Sequence, residues 1–120
     1  MKIAFTASGD DLSAPLDPRF GRAAKFLVYD LDNGTFELAD NSQNLNAAQG
    51  AGIQAAQQIC RLGVDGLVTA HCGPKAFRVL SAAGIKVYNT DAATVAEALE
   101  RFRSGGLKEA SFADVEGHWA

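Results

Sequence analysis

Two short stretches of this sequence hold residue types that could do chemistry. The first is Ser13-Ala14-Pro15-Leu16-Asp17-Pro18-Arg19-Phe20-Gly21-Arg22. Its two prolines stiffen the chain, and Gly21 lets the backbone turn closely. Arg19 and Arg22 flank Phe20, so two fixed positive charges and one planar apolar group share a loop. Guanidinium is itself weakly hydrated, which suits a soft, poorly hydrated polyanion. A plainer reading also fits, with Phe20 in the core and Asp17 paired to an arginine.

The second stretch is His71-Cys72-Gly73-Pro74-Lys75. It leaves an apolar strand and opens a helix, so free N–H groups and the positive end of the helix dipole meet there. Gly73 removes side-chain bulk, Pro74 suits the first helical position and Lys75 adds charge to the first turn. Cys72 offers a soft sulfur ligand and His71 a borderline nitrogen. Adjacent residues of an extended chain point opposite ways, so the two do not both reach one metal. A buried, satisfied pair accounts for them equally well. With no CxxC and no two histidines at helical spacing, a closed tetrahedral zinc site is not expected. Cys60 reads as a core residue, and His118-Trp119 as surface or loosely docked, open to a partner.

Carboxylates are present, but in the wrong places for hydrolysis. Asp10, Asp11 and Asp17 fall in the first loop, and Asp91 follows the fifth strand. A nuclease of the ribonuclease H type needs several carboxylates converging on divalent metals, one of them inside the first strand. That strand here carries only Lys2, Thr6 and apolar residues. No GxSxG elbow, P-loop or spaced GxGxxG follows a strand; Gly50-Ala51-Gly52 opens a helix and allows close packing or anion approach. No enzymatic activity is expected.

The elements that must position these stretches follow from periodicity. Lys2–Ala7 and Lys25–Leu31 read as strands, Asp32-Asn33-Gly34 as a hairpin turn, and Thr35–Ala39 as the returning strand. Ala47–Leu62 reads as a helix closed by Gly63, and Val64–Ala70 as a strand buried on both faces. A helix from Pro74, burying Ala76, Phe77, Val79, Leu80 and Ala83, ends at Gly84. Ile85–Tyr88 is a fifth strand, and Thr90 or Asp91 caps a last helix through Phe102. Residues 107–120 form a loosely structured tail without periodicity. The order βββαβαβα predicts a single α/β domain of three layers, α/β/α. It would be a five-stranded mixed sheet with helices on both faces, similar to the ribonuclease H-like arrangement. Parity places residues 8–24, 41–46, 71–75 and 89–91 at one end of the sheet, the edge where ligands of open α/β sheets bind.

Composition narrows the function classes. The chain has 120 residues, 48% of them hydrophobic, enough for one domain with a true core. A net charge of −3 with mixed signs argues against nucleic acid as a partner. No apolar run approaches the length of a membrane span. Two cysteines make no disulfide framework, and the N-terminus has no signal-peptide design, so a cytoplasmic location is expected.

In order and spacing, four segments resemble the dinitrogenase iron–molybdenum cofactor biosynthesis family. They are Asp17-Pro18-Arg19-Phe20-Gly21-Arg22-Ala23, Gly63-Val64-Asp65, Gly73-Pro74-Lys75-Ala76-Phe77 and Ala83-Gly84-Ile85-Lys86-Val87. The likeness runs from Met1 to the last helix. It implies a ribonuclease H-like fold without nuclease activity, binding iron–molybdenum cofactor or related molybdenum and iron–sulfur clusters. The chain's size is most like that of the family's small stand-alone carriers, which hold a molybdenum–copper sulfide cluster without covalent attachment. Carried onto this sequence, the cluster would rest between Arg19–Arg22 and His71–Lys75. Arg19, Arg22 and Lys75 would neutralise it, N–H groups around Gly73 would donate to its sulfides, and Phe20 would cover an apolar face. Cys72 is the one candidate for a direct bond to metal. Protein partners in cluster assembly or in a co-encoded regulatory complex are also implied. The alternative is a regulatory or scaffold protein that recognises a protein partner through the same edge and holds no metal.

Overall fold

The computed structural model describes residues 1–21, 23–41 and 51–110. Five strands form one sheet: β1 (Lys2–Ala7), β2 (Lys25–Asp30), β3 (Thr35–Asp40), β4 (Gly66–Thr69) and β5 (Lys86–Asn89), in spatial order β3-β2-β1-β4-β5. β1, β2 and β3 pair antiparallel, whereas β4 and β5 run parallel to β1. The helices are α1 (Ala51–Arg61), α2 (Pro74–Ala82) and α3 (Val95–Arg103). The sheet is therefore mixed and the fold three-layered.

Strand alternation builds two cores. On one face Ala4, Phe26, Val28, Leu67 and Val87 pack against Ala55, Ala56 and Ile59 of α1 and Ala76, Phe77 and Leu80 of α2. On the other, Ile3, Phe5, Leu27, Tyr29 and Val68 meet Val95, Ala98 and Leu99 of α3. β4 is buried along its whole length because α2 and α3 cover its two faces. Where α1 and α2 approach, a Cβ on Gly52 would lie 3.7 Å from that of Ala76, an ordinary contact. Gly50 lies outside the described residues. Gly63, at φ +70°, ends α1 in the left-handed conformation that glycine adopts without penalty.

Two expectations change. The cap of α3 is Thr94, whose Oγ1 accepts the Glu97 N–H at 3.1 Å, and not Thr90 or Asp91. Those two are engaged elsewhere: Thr90 Oγ1 accepts the Ala92 N–H, and Asp91 accepts from the Arg101 side chain at 2.6 Å. The first four residues of the supposed loose tail are also docked. The Ala110 N–H donates to the Val87 carbonyl at 2.7 Å, Glu109 bridges Tyr88, and Ala110 is buried. The unpaired side of β5 supplies the backbone groups that hold them. Residues 111–120, with His118 and Trp119, lie outside the described residues.

Candidate functional site

The carboxyl ends of β1, β3, β4 and β5 share one end of the sheet, as strand direction requires. There the chain after β1 leaves its lane and returns. Ala7 bridges Leu16 in antiparallel sense, and the Asp17 N–H donates to the Thr6 carbonyl at 2.9 Å. The direction then reverses. Asp17 Oδ1 accepts the Arg19 N–H at 3.0 Å, an Asx turn that Pro18 favours. Beyond the turn Arg19 bridges His71 in parallel sense, and the Phe20 N–H donates to the His71 carbonyl at 3.3 Å. The two candidate stretches thus meet through their backbones.

The side chains divide into a rim and a floor. Arg19, His71 and Lys75 are exposed, while Gly21, Gly73 and Pro74 are half-buried. Phe20 is turned into the core, its ring centroid 5.7 Å from that of Phe26, so it anchors the loop from below. Of the two readings open for Phe20, the core one describes its position; a cover over a ligand does not. Asp17 Oδ1 binds backbone at Arg19; whether it also pairs with Arg22 falls outside the described residues. Arg22 lies outside the described residues, so the juxtaposition rests on Arg19 and Phe20.

Cys72 is buried among core residues, and its Sγ lies 3.8 Å from the Gly73 carbonyl. Burial pushes its thiol up to about 12, so it stays protonated at neutral pH. A group in that state is poorly prepared to coordinate metal, since the thiolate is the ligand. Cys60 is half-buried and packs against the same core.

The two helix starts at this edge differ in what they offer. At α3 the Val95 and Ala96 N–H groups donate to the Ala14 and Leu12 carbonyls at 3.0 and 2.8 Å, and Thr94 takes Glu97. That end is closed by the first loop. At α2 the cap is Gly73, extended at ψ 161°, without a side-chain cap bond. Pro74 has no N–H to satisfy, and the Lys75 and Ala76 N–H groups have no partner among the described residues. A Cβ on Gly73 would meet nothing within 4 Å, so the approach is open. Backbone N–H groups, Arg19 and Lys75 are a donor set for an anion; they are not a ligand set for a bare cation.

The four carboxylates of the loops at this edge are dispersed and individually partnered. Asp10 pairs with Lys25, and Asp11 accepts the Ser13 hydroxyl at 2.6 Å, which lowers its titration below the ordinary carboxylate value. Arg101 does the same for Asp91. Among the described residues no three His, Cys, Asp or Glu side chains gather as a metal site. A polar groove of about 250 Å³, lined by Lys2, Asp30 and Glu37 among others, lies at the opposite end of the sheet.

Three fully buried polar residues near the site escaped the sequence reading. Asn41 is fully buried; its Nδ2 donates to the Ala23 carbonyl at 2.8 Å, and its own N–H to that of Ala24 at 3.0 Å. Thr6 and Thr69 are also fully buried beneath the loop. In a strand, threonine reads as an ordinary β-former, so only its place at the carboxyl end of two adjacent strands hinted at more.

Fold and site together define a small α/β domain whose sheet edge carries exposed Arg19 and Lys75 beside the start of a helix. The model of the dinitrogenase iron–molybdenum cofactor family matches residues 1–105, and the chain belongs to that family. It is similar to the apo form of the orange protein from Desulfovibrio gigas, at 44% identity and TM-score 0.88 over 92% of each chain. A NifB-like protein from Thermotoga matches at 37% identity and TM-score 0.79, over 90% of this chain and 91% of that one. An uncharacterized protein of Methanocaldococcus jannaschii is 32% identical over 112 residues, 91% of either chain. No helix among the described residues is long and apolar enough to cross a membrane.

Proposed function

We propose that this chain binds and carries an anionic metal–sulfur cluster as cargo, held without covalent bonds at the Arg19–His71 rim. The cluster is of the molybdenum–copper sulfide or iron–molybdenum cofactor-like class, and the chain is a carrier and not a catalyst. One observation supports this reading above the others: Arg19 is bridged to His71 immediately ahead of a helix start whose first N–H groups have no partner among the described residues. An aggregate of sulfides has many weak acceptors and a delocalised negative charge. Several N–H donors and weakly hydrated guanidinium groups match it better than one strong ligand would. Membership of the family and the likeness to the orange protein give the cargo its class.

The test is reconstitution. Apo-protein mixed with tetrathiomolybdate and copper(I) should develop charge-transfer absorption that stays with the protein through gel filtration. Arg19→Ala combined with Arg22→Ala should reduce uptake at least tenfold, as expected when two charge-assisted contacts are lost. A double variant that binds like wild type places the site elsewhere. A chain that elutes from its native extract with a protein partner and no molybdenum is a scaffold instead.

A further inference from the structure

Under the rim, two threonines occupy places where valine would pack as well. Thr6, near the end of β1, and Thr69, at the end of β4, are both fully buried. A buried hydroxyl is unfavourable unless it is hydrogen-bonded, so each must have a partner. Thr6 Oγ1 lies 2.7 Å from the Asp17 carbonyl oxygen and 3.2 Å from Thr69 Oγ1. A hydroxyl has one proton. That of Thr6 goes to the carbonyl, which can only accept; Thr69 must then donate to Thr6. The result is a directed chain, Thr69 to Thr6 to Asp17.

Asp17 receives this chain at a sensitive point. Its N–H is held by the Thr6 carbonyl, its C=O by the Thr6 hydroxyl, and its carboxylate holds the Arg19 N–H. Three bonds fix one residue at the place where the backbone reverses from antiparallel to parallel pairing. We propose that Thr6 and Thr69 are positioning residues of the rim: acting in series, their hydroxyls fix Asp17 and so hold Arg19 against His71. The positioning of cargo by this device rests on the cluster-binding reading above; the ordering of the loop does not.

Two readouts keep those claims apart. Amide hydrogen exchange of the apo-protein reports the loop, and titration with tetrathiomolybdate and copper(I) reports the cargo. Thr6→Val keeps shape and removes the hydroxyl, while Thr6→Ser keeps the hydroxyl. In Thr6→Val, exchange at the Arg19 and Phe20 amides should quicken about tenfold relative to the core strands, the scale of one buried hydrogen bond. Cluster affinity should fall by a similar factor. Thr6→Ser should restore both, and Thr69→Val should show a smaller change in the same direction. Wild-type exchange at these amides in both valine variants overturns the proposal. Faster exchange with unchanged affinity overturns its functional half. A wild-type chain that takes up no cluster defeats the carrier reading, and exchange alone then decides the ordering of the loop.

Discussion

Cys72 shows how burial bears on what a residue type leaves open. As a letter in the sequence it is a soft ligand beside a histidine; in the fold it lies among Ala76, Phe77 and Leu80. The folded thiol keeps its proton to about 12, while the unfolded one releases it near 9.0. Between those values the unfolded chain binds fewer protons than the native one, so stability falls as pH rises. The slope reaches about 1.4 kcal/mol per pH unit for one group. Cys72→Val should flatten this alkaline decline in denaturant titrations and change stability at pH 7 by less than about 1.5 kcal/mol. It should also take up cluster within about twofold of wild type. Loss of the charge-transfer bands in Cys72→Val would instead make the thiol a ligand, and the pH profile would be a secondary matter.

Among the elements, α3 does more than cover a sheet face. Its first turn and the residue before its cap are where Leu12, Ala14 and Leu16 of the rim loop hydrogen-bond, through Ala96, Val95 and Ala93. Thr94→Ala should cost about 1 kcal/mol, the usual value of an N-cap, measured as a shift in denaturation midpoint. Because that cap and the loop share a helix end, exchange at the Leu16 amide should quicken too; an unchanged Leu16 would separate the loop from the helix. Gly9 makes the same loop compact, since a Cβ there would sit 2.9 Å from that of Ala14. Gly9→Ala should destabilise by about 1–3 kcal/mol through the forced shift, and a neutral result would mean the turn can open freely. The strands and helices were legible because each keeps its own period. The start of α3 was misplaced by a few residues although Thr94-Val95-Ala96-Glu97 spells a capping box. The meeting of Arg19 with His71 was legible only as a shared edge, because strand parity fixes ends and not contacts. The hydroxyl chain beneath it was not legible at all, since it depends on three residues far apart in sequence converging in space.

For the whole molecule, a net charge of −3 means that nothing global attracts an anion. Binding must come from local charge at the rim, and part of that charge is already engaged. Lys25 opens β2 beside Ala7 at the same end of the sheet and is paired with Asp10 on the loop. The pair is partly exposed, so it adds little to stability, but it cancels one positive charge at this end of the sheet. Asp10→Asn frees that charge. Uptake of tetrathiomolybdate and copper(I) should tighten about two- to threefold at about 0.01 M ionic strength, where the screening length is roughly 30 Å. Near 1 M salt, where it shrinks to about 3 Å, variant and wild type should converge and both bind more weakly. Binding that ignores salt altogether would mean the cluster is held by direct bonds to metal. The cationic edge would then be an incidental feature of the fold.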